Sequence, residues 1–145
     1  MYLKTIVTNI LAAVHLIYFI AGCSADTYKY DSDIRNKYWK LTELEGDTVV
    51  AVEGQREAHV IFTLNNNNVK GSGGCNNFSG KYEIIDDSIH VGALAATRMY
   101  CDSVMDREEK FLEVLQDGGR FKISDENLYL YSKNNIIARF KAIYF

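Results

Sequence analysis

The segment GSGGCNNFSGKY, Gly71 to Tyr82, constrains this chain more than any other stretch. It holds four of the ten glycines, two adjacent asparagines and one of the three cysteines. A phosphate loop would need GxxxxGK[ST] between a strand and a helix, so that amides and lysine converge on phosphate. Here Gly80-Lys81 runs into Tyr82 and strand-like residues, and GxGxxG spacing is missing as well. A nucleophilic cysteine would need a base and an orienting partner. His59 and His90 carry no local signature that pairs either with Cys75 or Cys101. The segment therefore reads as a corner of a sheet. Gly71, Gly73 and Gly74 give positive φ or close backbone approach, and Asn76 and Asn77 bond backbone groups where the ladder breaks.

The rest of the pattern is short strands with turn punctuation. Strands are expected at 38–44, 58–64, 80–85, 88–91, 121–124, 128–131 and 136–145. Ala58, Val60, Phe62 and Leu64 share one face at period two. The four asparagines 65–68, Asp86-Asp87, DEN and SKNN supply the turns, which makes a mostly antiparallel meander. One helix fits SVMDREEKFLEVLQDGG, with Ser103 or Asp102 as N-cap and Gly118-Gly119 as its stop. At about 100° per residue, Val104, Met105, Phe111, Leu112 and Leu115 form one arc, and Glu108 falls inside it. A carboxylate on the core face must be paired or hydrogen-bonded. The candidates are Asn76, amides of the glycine bend, Arg98 or Thr97; otherwise its stem covers apolar surface and its head reaches water. The fold class is α+β, a sheet packed on one amphipathic helix.

The N-terminus carries an address. Lys4 is followed by eighteen residues free of Asp, Glu, Lys and Arg, up to Cys23. That is a charged n-region and an apolar h-region. Ile20-Ala21-Gly22-Cys23 resembles the bacterial lipobox, in which the chain is cut before a cysteine that becomes acylated. An uncleaved membrane anchor is the alternative. The expected division is a signal peptide at 1–22, a lipidated tether at 23–37 and a domain at 38–145. Ser24 after the cysteine favours sorting to the outer membrane, with the domain facing the periplasm. The mature chain would have 15 cations against 19 acids. This balance argues against nucleic acid as a partner and leaves anchoring to the acyl chains, palmitate among them. With Cys23 acylated, Cys75 and Cys101 are an even pair in an oxidising compartment and read as a disulfide. No CxxC or HxxxH is present, so no metal and no cofactor are expected.

Gly74-Cys75-Asn76-Asn77-Phe78-Ser79-Gly80-Lys81-Tyr82 is similar to the GCNxxxGxY core of the META-domain, HslJ-like family. Trp39-Lys40-Leu41, Thr97-Arg98-Met99-Tyr100-Cys101 and Glu108 to Leu115 follow in the family's order. Tyr100 stands where many members have a small residue. The resemblance implies a curved, partly barrel-like antiparallel sheet around one helix. It marks Gly74, Asn76, Gly80, Tyr82, Thr97 and Glu108 as structural motif residues. It also implies a bacterial envelope lipoprotein, in some members linked to stress, and supplies no enzymatic activity.

The function expected is a non-catalytic binding or envelope-maintenance module with an envelope protein as partner. A carrier of a lipid or small apolar ligand would instead need a closed cavity between helix and sheet. A secretin pilot-like partner-binding role rests on fold analogy. An enzyme would need His59 or His90 beside a free thiol or carboxylate.

Overall fold

A computed structural model describes residues 33–145. The acylation site expected at Cys23, with the signal peptide and most of the tether, lies outside the described residues. Among the described residues, ten strands and one α-helix follow one another. They are β1 (Tyr38–Leu44), β2 (Asp47–Thr48), β3 (His59–Phe62), β4 (Asn68–Ser72), β5 (Asn77–Ile85), β6 (Ser88–Val91) and β7 (Ala95–Ala96), then α1 (Met105–Asp117), β8 (Gly119–Ser124), β9 (Asn127–Ser132) and β10 (Asn135–Ile143).

Eight of these strands close an antiparallel barrel in the order β1-β3-β4-β5-β6-β8-β9-β10. The seam is β1 on β10, where Tyr38 faces Ile143 and Leu44 faces Ala138. The sheet expected to be partly barrel-like is therefore closed. Closure leaves no long unpaired edge to template aggregation. The short strands β2 and β7 are side branches on β1 and β5.

Period-two alternation puts Trp39 and Leu41, Val60 and Phe62, Leu128 and Leu130, and Ala138, Phe140 and Ala142 inside. From the helix, Phe111 enters this core fully buried. Its ring lies 5.9 Å from Phe78 and 6.0 Å from Phe140, linking β5 to β10 through the helix. The space left among Ile34, Phe62, Leu115, Phe121 and Phe140 is about 10 Å³. That is about one water and far from the several hundred Å³ of a ligand pocket. Aromatic and aliphatic side chains fill this part of the barrel, so the space these residues leave is too small for the ligand a carrier would enclose.

Several boundaries differ from the sequence reading. The packed unit reaches back past residue 38: Ile34 is buried, and its carbonyl accepts the Trp39 indole N–H at 2.7 Å. The turn 65–68 contains a 3₁₀ turn at Asn65–Asn67, with Asn66 and Asn67 at positive φ. Neither Ser103 nor Asp102 caps the helix. Val104 holds the N-cap position with no side-chain bond, and its buried side chain anchors the first turn by packing instead. The stop at Gly118 is as expected. Its φ is +62°, and a Cβ there would lie 2.3 Å from the Ile89 carbonyl oxygen.

Candidate functional site

The glycine bend and the helix meet at Glu108. This residue is 4% exposed, on the face of α1 that carries Phe111 and Leu115. Its Oε2 accepts the backbone N–H of Cys75 at 2.9 Å and of Asn76 at 2.7 Å. Its Oε1 accepts Asn76 Nδ2–H at 2.6 Å. The bend is thus a small nest of donors around one buried anion. A charge is tolerated in such a place because each donor replaces a lost water.

Asn76 spends its whole side chain here. Nδ2 donates to Glu108 and also to the Met99 carbonyl at 3.0 Å. Oδ1 accepts Met99 N–H at 2.7 Å and the Thr97 hydroxyl at 2.8 Å. A carboxamide offers two donors and two acceptors, so its capacity is exhausted. The Asn76 carbonyl closes the bend by accepting Gly73 N–H at 2.9 Å.

The glycines make this geometry sterically possible. A Cβ on Gly73 would sit 2.3 Å from Glu108 Cγ, so only glycine lets the helix carboxylate come this close. Gly74 has φ +122°, a conformation that side chains disfavour. Gly73 thus serves by close approach and Gly74 by its backbone angle.

The disulfide joins Cys75 to Cys101, with Cα atoms 5.9 Å apart and a sequence separation of 26. It ties the bend to the segment just ahead of α1. Segment 97–101 is therefore held twice, by Asn76 at Thr97 and Met99 and by the disulfide at Cys101. Between these ties it leaves Met99 49% and Tyr100 80% exposed.

Of the partners expected for Glu108, Asn76 and the bend amides hold it directly. Thr97 acts one step away through Asn76, and Arg98 contributes no bond. Gly80 lies further along β5, where a Cβ would press on Leu94 and on the Ala93 carbonyl. Tyr82 is buried against Phe62 and donates its hydroxyl to the Thr63 carbonyl at 2.9 Å. Burial raises its pKa. These two residues support the barrel wall and do not join the Glu108 cluster.

Sequence reasoning missed Arg56. Its N–H donates to the Gly74 carbonyl at 2.9 Å, and its guanidinium bonds the Asn77 side chain. Nothing in the local pattern at residue 56 marks a partner at 74. His59 stacks on Tyr38 with centroids 4.2 Å apart, and His90 is exposed opposite Glu83. Among the described residues no three His, Cys, Asp or Glu side chains are grouped to hold a metal ion.

One open groove stands apart from the cluster, about 520 Å³, with Tyr38, Ile61, Lys70, Tyr144 and Phe145 in its wall. Burial, then the nearby Glu57 carboxylate, pushes the Tyr38 phenol up to about 12.

The fold and the cluster define a class: a small α+β domain whose closed barrel is locked to its helix by a buried carboxylate and a disulfide. A family model for the META domain matches residues 32–143, and the chain belongs to the META domain family. No curated protein matches it. Among solved structures it is similar to a protein determined by NMR, at 21% identity and a TM-score of 0.60, over 74% of this chain and 90% of the other. A second NMR structure, of a protein from Burkholderia xenovorans, is 20% identical with a TM-score of 0.60 and covers 76% and 83% of the two chains. At such identities the likeness speaks for the fold alone.

Proposed function

We propose that this protein is a non-catalytic bacterial envelope lipoprotein. Acylated Cys23 anchors it in the outer membrane, and the META domain faces the periplasm as a binding or maintenance module. The observation that carries this reading is the use of the motif residues. Glu108 spends its oxygens on Asn76 and the Cys75 N–H, Asn76 spends its side chain on Glu108 and segment 97–101, and both described cysteines are spent in the disulfide. Such a device holds one exposed segment rigid. Met99 and Tyr100 on that segment are the kind of preordered apolar side chains that anchor protein contacts. The partner class is therefore an envelope protein.

Two measurements test it. Metabolic labelling with an alkyne-tagged palmitate should mark the wild-type chain and leave Cys23→Ser unmarked; equal labelling removes the anchor. A photoreactive phenylalanine analogue at position 100, illuminated in intact envelopes, should give one discrete adduct that Asn76→Ala abolishes. A smear that this variant leaves unchanged rejects an ordered binding segment.

A further inference from the structure

The groove beside the N-terminal end of the described chain combines lysines with aromatic side chains. Nine residues line it, two of them lysines; the nearest carboxylates, Glu57 beside Tyr38 and Asp33 beside Lys37, stand behind the wall and not in it. Its cations are Lys37 and Lys70, and its apolar wall includes Tyr38 and Ile61. Phe145 is fully exposed at 102% and Tyr144 is 59% exposed. Phe145 meets the Tyr38 ring edge-on at 5.4 Å, so these aromatics form one patch.

The position of the patch says what covers it. Lys37, in the groove wall, donates its ammonium to the Asp33 carbonyl at 2.6 Å, so the chain joins the domain beside the groove. Asp33 lies ten positions beyond Cys23, a reach of about 35 Å at full extension. On the anchored reading above, this is the domain face tethered most directly to the bilayer. Tyrosine and phenylalanine beside lysine is the chemistry that settles at a headgroup boundary: rings enter the interface while ammonium groups stay with phosphates. The overall negative charge opposes general adsorption to an anionic surface, which leaves such contact to local cationic patches.

We propose that the Tyr38–Lys70–Tyr144–Phe145 groove is the face this domain lays on an anionic phospholipid surface. The inference rests on the lipid-anchor reading and fixes which side of the barrel turns toward the membrane. It follows that segment 97–101 is presented from a domain of fixed orientation.

Hydroxyl-radical footprinting of the full chain tests it. The chain is compared on phosphatidylethanolamine/phosphatidylglycerol vesicles, on phosphatidylcholine vesicles, in detergent and in intact envelopes. Oxidation of Tyr144 and Phe145 should fall several-fold on the anionic vesicles relative to phosphatidylcholine, while Tyr100 keeps its rate throughout. Lys70→Glu should restore oxidation at Tyr144 without changing the thermal midpoint, which separates a lost lipid contact from misfolding. Intact mass of the same sample reads the acyl group at Cys23. Acylation without selective protection overturns the lipid face and leaves the anchor standing. Protection without acylation removes the anchor and sustains the face. Protection in intact envelopes but not on vesicles assigns the groove to a protein and overturns the proposal.

Discussion

Asn76 bonds Glu108 twice, through its backbone N–H to Oε2 at 2.7 Å and through its side-chain amide to Oε1 at 2.6 Å. One residue of a glycine corner thereby grips both oxygens of a carboxylate on the helix, 32 positions away in sequence. The helix is set against the barrel by this grip as well as by Phe111.

Removing the grip should be costly. Glu108→Ala leaves three buried donors without a partner and should destabilise the domain by roughly 1–3 kcal/mol in a urea melt. Glu108→Gln should not rescue it, since its amide brings a donor toward groups that are already donors. A full rescue by glutamine would refute a carboxylate held by three donors.

Gly73→Ala should be as damaging as the loss of Glu108, because its Cβ would lie 2.3 Å from Glu108 Cγ. In a Glu108→Ala background the obstructing atom is gone. There the same substitution should cost clearly less, giving a coupling energy of about 0.5–3 kcal/mol in a double-mutant cycle. Additive costs would contradict the close approach.

Reduction should lower stability without abolishing the fold. The disulfide closes a 26-residue separation, worth on the order of 3 kcal/mol in the chain-entropy model. Barrel hydrogen bonds and the Glu108 grip survive reduction. Thiol titration of the denatured, acylated and unreduced chain should find no reactive group. Two reactive thiols would show an open pair.

Lys133 takes φ +54° at the turn between β9 and β10, a region unfavourable to a side chain. Lys133→Gly should raise stability by about 0.5–1 kcal/mol. An unchanged or lower denaturation midpoint would contradict that strain.

Alkaline stability should carry the signature of Tyr38. Its folded pKa is raised to about 12 from 10.0, first by burial and then by Glu57. The neutral phenol is thus favoured by folding, and its contribution is complete below pH 10. It is lost as pH climbs toward 12. Tyr38→Phe should flatten that decline in urea midpoints between pH 9 and 12. Parallel declines in the two proteins would exclude Tyr38 as its source.

Much of this was legible in the chain. Alternation at 58–64 marks strand β3, Asp86-Asp87 and DEN mark hairpins, and the misplaced Glu108 marks a buried polar contact. Other features have no local signal. The capping expectation at Ser103 or Asp102 fails because burying Val104 fixes the helix start. Ile34 reads as part of a polar tether, yet it is core, because its carbonyl and side chain answer to Trp39 and the barrel interior.

The amino-acid sequence on its own marked β1, β3, β5, β6, β8, β9 and β10, the course of the helix, and a glycine-dependent bend within 71–82. Those properties follow from periodicity and backbone sterics over a few residues. The short strands β2 and β7 and the strand character of 77–79 came only with the structure. Closure of β10 onto β1, the two-fold grip of Asn76 on Glu108 and the bond from Arg56 to the bend were decided only in three dimensions. Each joins groups tens of residues apart, and no local pattern specifies such a pairing before packing brings the partners together.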